Sequence, residues 1–140
     1  MEPMHKKLLI VDDDLLFRQM LVEILETQGY KITDAENGEE GVQTFVKFHP
    51  DLVITDIRMP KKNGLQMAQE ILRYSPNTPI IFISGWFDID GNYTENKSFF
   101  GQESFCIHFL KKPFRVPQLL KLISEIETPC KDHALHGQPS

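Results

Sequence analysis

The stretch Leu52-Val53-Ile54-Thr55-Asp56-Ile57-Arg58-Met59-Pro60 decides the fold. Its first four residues are apolar or β-branched, the composition of a short buried strand. Pro60 and the pair Asn63-Gly64 then mark a loop. A carboxylate at the carboxyl end of such a strand faces the crevice where open α/β sheets bind ligands. Alone, an Asp in that place is an ordinary turn or cap residue. Its weight comes from three other strand ends.

Upstream, Leu8-Leu9-Ile10-Val11 runs straight into Asp12-Asp13-Asp14. One Asp is accounted for as the N-cap of the amphipathic segment that follows, with Leu15, Leu16, Met20, Leu21, Ile24 and Leu25. Three exceed what a cap requires. Crowded carboxylates raise one another's pKa unless a cation neutralises them. A hard divalent ion with oxygen ligands, Mg²⁺ above all, is the natural solution. Downstream, Pro79-Ile80-Ile81-Phe82-Ile83-Ser84-Gly85 ends a strand on a small hydroxyl. Phe109-Leu110-Lys111-Lys112-Pro113-Phe114 ends another on lysine and proline, a bond that cis geometry suits at low cost.

Between these strands the pattern turns helical. Strands are expected over residues 7–11, 31–35, 52–55, 80–84 and 106–110, and helices over 15–28, 39–48, 65–74 and 116–127. Gly29 suits the left-handed position after a helix end. Pro50 drives His49 out of helical space and stops the second helix. Strands alternating with amphipathic helices imply a parallel sheet covered on both faces. The expected fold is a flavodoxin-like α/β three-layer sandwich. Its five strands run in the order 2-1-3-4-5, with about five helices and the site at the switch point. All four marked strand ends then fall on one edge of the sheet.

At 140 residues the chain suits one domain. Its formal net charge of −5 argues against binding a phosphate backbone. Cys106 and Cys130 supply neither a disulfide framework nor metal spacing, and read as reduced, cytosolic thiols. No apolar run is long enough for a signal peptide or a membrane span. Residues 129–140 are polar and read as a disordered tail after a domain covering 1–128.

The acid pair Asp12-Asp13, the lone Asp56 with Ile57-Arg58-Met59-Pro60 and Asn63-Gly64, the hydroxyl at Ser84, and Lys112-Pro113-Phe114 together resemble the receiver domain of two-component response regulators. The resemblance covers residues 6–128. It implies that Asp56 accepts a phosphoryl group from a phosphohistidine on a sensor histidine kinase or phosphotransfer protein. It also implies Mg²⁺ held by Asp13, Asp56 and the main-chain carbonyl of Arg58, with Asp12 acting through metal-bound water. Lys112 and Ser84 would each take a phosphoryl oxygen. Phe109 would be the aromatic switch that follows Ser84 and reshapes the face around strands four and five. An effector domain or protein would read that face, a second copy of the chain could pair with it, and the setting would be cytoplasmic.

Residues 86–105 depart from the family pattern. The 28 positions from Ser84 to Lys112 are more than that pattern has. The stretch carries Trp86, Phe87, Ile89, Tyr93, Phe99, Phe100 and Phe105 in place of a small-residue helix, so the fourth helix is expected to be irregular. Two other readings stand beside the leading one. A pseudo-receiver that only binds partners sits poorly with the complete Asp12, Asp13, Asp56, Ser84 and Lys112 set. An enzyme on the same fold would want a second acid two residues after Asp56, where Arg58 stands, or a phosphate loop for flavin, which the sequence lacks.

Overall fold

Five strands alternate with helices along the chain: β1 (Lys7–Val11), α1 (Leu15–Thr27), β2 (Lys31–Ala35), α2 (Gly38–Phe48), β3 (Leu52–Asp56), α3 (Gly64–Tyr74), β4 (Ile80–Ser84), β5 (Ile107–Lys111) and α4 (Val116–Glu125). This computed structural model describes residues 6–85 and 105–131. The sheet is parallel, in the order β2-β1-β3-β4-β5. Four helices lie among the described residues. The expected irregular fourth helix, and Trp86 with it, falls outside them.

Strand periodicity of two explains the layers. Leu8, Ile10, Leu52, Ile54, Ile81 and Ile83 pack on one face with Leu21 and Leu25 of α1 and Leu119 and Ile123 of α4. Leu9, Val11, Val53, Ile80 and Phe82 pack on the other with Phe45 of α2 and Met67, Ala68 and Ile71 of α3. The inner strands are buried on both sides, which is why their sequences read as unbroken apolar runs. The edge strand β2 reads Lys-Ile-Thr-Asp-Ala, with Lys31 and Asp34 exposed.

Local chemistry sets the helix ends. The Asp14 carboxylate accepts the Phe17 N–H at the start of α1, and Asn37 accepts the Glu40 N–H at the start of α2. Asn63 and Gln66 exchange side-chain to main-chain bonds of 2.8 and 3.1 Å in a capping box on α3. Gly29 takes φ 92° after α1, and His49 takes φ 54° before Pro50. The Lys112–Pro113 bond is cis.

One expectation is corrected. Cys106 and Cys130 are joined in a disulfide, with Cα atoms 5.6 Å apart, and no free cysteine remains among the described residues. Spacing could not reveal this, because the fold alone brings the start of β5 and the chain after α4 together. The Cys130 N–H also donates to Asn77 O at 2.8 Å, and Cys130 is buried in the core layer of α2 and α3. Cross-linking across a sequence separation of 24 removes unfolded-chain entropy. For a loop of that length the stabilisation is about 3 kcal/mol. Reduction, or Cys106→Ser, is expected to lower the unfolding free energy by that order in urea titrations. Alkylation of the native, unreduced protein should label no thiol; two labelled thiols would refute the bridge.

Candidate functional site

The register aligns the marked residues on one edge. Val11 pairs with Thr55, Asp56 with Ile83, and Ser84 with Lys111. In a parallel sheet this places Asp12, Asp56, Ser84 and Lys112 at four neighbouring carboxyl ends. Asp12, Asp13 and Asp56 each bring a carboxylate oxygen within 4.8 Å of the others. Lys112 follows the end of β5. Its Nζ lies 4.6 Å from the centre of the Phe17 ring, a cation–π contact, and Phe17 is met edge-on by Phe114. Phe109 stacks on Phe82 with ring centres 5.4 Å apart. Arg58 lies exposed two residues beyond Asp56.

Hydrogen bonds aim the acids. One Asp12 oxygen accepts the Asp14 N–H at 2.8 Å, and the Asp12 N–H continues the ladder to Ala35 O at 3.1 Å. Asp56 Oδ1 accepts the Ile57 N–H at 2.8 Å. Asp14 is spent on capping α1, as its sequence position indicates, and stands apart from the cluster.

Asp12 is only 2% exposed. Its pKa is raised from 3.8 to about 6, first by burial; the Asp14 N–H opposes this, Asp56 adds to it, Lys112 opposes it, and Asp13 adds to it. A buried carboxyl beside two others fits a cation better than it fits empty solvent. The all-oxygen donor set is hard, and oxygens this close suit a small divalent ion such as Mg²⁺.

Gly64 lies against the main chain of Asp56 and Ile57. A Cβ there would collide with the carbonyl oxygen of Asp56, and the Gly64 N–H donates to Ile57 O at 2.7 Å. Gly64→Ala must push the β3–α3 loop outward. Overpacking of this kind costs about 1–3 kcal/mol. Lower stability together with weaker Mg²⁺ binding is the expected result; an alanine variant matching the wild type in both would show that the loop yields freely.

Two residues near the cluster are not polar strand ends. Phe17 reads as an ordinary core residue. Arg18 carries a sequence signal, since it shares the buried stripe of α1 with Leu21 and Leu25, where an arginine is out of place.

The comparisons agree with this geometry. The family model for the response regulator receiver domain matches residues 8–124. The chain is 31% identical to chemotaxis protein CheY of Thermotoga maritima, over 88% of this chain and 98% of that one. It is 35% identical to the probable transcriptional regulator ycf27 of Cyanophora paradoxa, over 85% of this chain and 47% of that one. Among solved structures, the response regulator protein TrrA from Thermotoga maritima, in complex with Mg²⁺-BeF, superposes with a TM-score of 0.71 at 31% identity. The match covers 86% of this chain and 97% of that one.

Proposed function

This chain belongs to the response regulator receiver domain family, and we propose that it is a working phosphoacceptor whose acceptor is Asp56. The observation that carries the reading is the convergence of the Asp12, Asp13 and Asp56 carboxylates on the sheet edge that also bears Lys112. An Asp56 oxygen attacks the phosphorus of a partner's phosphohistidine. The P–O bond forms as the P–N bond breaks, and the imidazole leaves. Phosphoryl transfer asks for positioning and charge stabilisation more than for covalent chemistry. Asp13, Asp56 and the Arg58 carbonyl would hold Mg²⁺, with Asp12 acting through metal-bound water. Bound there, the ion would supply charge neutralisation for the carboxylates and for the incoming phosphoryl oxygens. Lys112 takes one phosphoryl oxygen and the Ser84 hydroxyl another.

The phosphoryl group adds about two negative charges and three acceptors. Ser84 would follow the phosphoryl group, and Phe109, whose ring rests on Phe82, would move after it. The face of β4 and β5 then shifts between two states, by as much as the phosphoryl group prefers one of them. A sensor kinase or phosphotransfer protein would deliver the group, and an effector domain or protein would read the result. Leu15, Leu16 and Met20 stand exposed on α1, the helix that begins directly after the acids. Exposed apolar side chains on that helix suit a protein partner.

No helix among the described residues is long and apolar enough to cross a membrane. The reading places the protein in the cytoplasm, where disulfides are uncommon, so the Cys106–Cys130 bridge is an exception there. Alkylation in freshly lysed cells reports which form is present. The test of function is mass spectrometry after acetyl phosphate. Wild-type protein should gain about 80 Da with Mg²⁺, the mass of one phosphoryl group, and nothing with EDTA. No gain under either condition would leave a binding module in place of a phosphoacceptor.

A further inference from the structure

Arg18 is the only buried basic side chain among the described residues. Its place on α1 is apolar, in one stripe with Leu21 and Leu25. A methionine or leucine would fill that place without desolvating a charge, and burying a charge is costly unless it is well partnered. Arginine adds a planar fork of donors. Nη1 donates to the main-chain oxygen of Asp12 at 2.5 Å, and Nε donates to Asp34 Oδ2 of β2 at 2.7 Å. The Asp12 oxygen lies at the corner between β1 and α1, beyond the paired residues of the strand and ahead of the helix cap.

We propose that Arg18, held by Asp34, is a positioning residue of the acid site, bracing the Asp12 peptide and with it the aim of the Asp12 and Asp13 carboxylates. With this brace the Asp12 peptide is fixed on both sides, by Ala35 O at its nitrogen and by Arg18 at its oxygen. The side chain is fixed by the Asp14 N–H. Three carboxylates within 4.8 Å repel one another, so without a brace the corner turns outward and the ligand atoms part. The inference rests on the proposed metal-dependent function and adds to it a residue that touches neither metal nor phosphoryl group. Asp34, at an exposed edge strand, acquires a role in turn: it keeps the guanidinium turned toward the corner.

The test is an MgCl₂ titration followed by amide NMR shifts of residues 11–14, with urea unfolding run in parallel. Arg18→Met keeps the volume and suits the apolar stripe. Its Mg²⁺ half-saturation should rise about tenfold, the usual scale for partners that orient metal ligands. Arg18→Lys keeps the charge without the fork and should recover part of the loss. Asp34→Ala removes the acceptor of the Nε–H at an exposed position and should weaken Mg²⁺ in the same direction by a smaller factor; it decides the matter if Arg18→Met does not fold. The rate of phosphoryl uptake should fall most at limiting Mg²⁺ and least at saturation. A folded Arg18→Met, or failing that Asp34→Ala, with Mg²⁺ half-saturation equal to wild type overturns the brace. A wild type that neither binds Mg²⁺ nor takes a phosphoryl group overturns the proposed function itself, and the brace with it.

Discussion

Asp56→Asn is expected to abolish phosphoryl uptake completely. A carboxamide is no nucleophile toward phosphorus at neutral pH, and neither of the other acids can replace it. Asp12 is buried beneath the edge, with one oxygen tied to the Asp14 N–H. Asp13 shares the cluster, but β3 delivers Asp56 between β1 and β4, opposite the acid pair and beside the strand that carries Ser84. The variant should fold, since an asparagine oxygen can still accept the Ile57 N–H that now bonds Asp56 Oδ1. Treated with acetyl phosphate and Mg²⁺, wild-type protein should gain about 80 Da and the variant nothing. A stable adduct of that mass on folded Asp56→Asn would move the acceptor elsewhere and dismantle the assignment.

The site was legible in the sequence to the extent that it depends on where strands stop. Leu8 to Val11, Leu52 to Ile54 and Ile80 to Ile83 announce themselves because both of their faces are covered, so every residue in them is apolar. The polar residue that ends each run is then conspicuous, and a parallel sheet brings those ends together. Contacts between elements left weaker traces. Arg18 was visible only as a basic residue on an apolar stripe, and its partner Asp34 lies in another element 16 positions away. Phe17 is set apart from other core residues only by Lys112, which lies over its ring. Cys106 and Cys130 illustrate the limit most clearly. Their pairing depends on where α4 delivers the chain after the sheet is complete, and no local pattern encodes that.

Asp12→Asn should make the metal-free protein more stable while weakening its hold on Mg²⁺. Asp12 is raised from 3.8 to about 6 in the folded chain, chiefly by burial. Unfolded, it titrates at its ordinary value. Between about pH 4 and pH 6 the folded state therefore keeps a proton that the unfolded state has released, and stability falls as pH rises through that window. Above it the loss is constant, and the shift sets its scale at up to about 3 kcal/mol. Asparagine retains an oxygen for the Asp14 N–H and carries no charge. In EDTA the variant should exceed the wild type by about 1–3 kcal/mol near pH 7, and the advantage should vanish near pH 4. Adding Mg²⁺ should reverse the order, because only a protein that binds the ion gains stability from it. Urea unfolding at the two pH values, with EDTA and then with Mg²⁺, reads all of this. A variant no more stable than wild type near pH 7 without metal would mean that the buried carboxylate is already well solvated or well paired. The strain that Mg²⁺ is proposed to relieve would then lie with Asp13 and Asp56 instead.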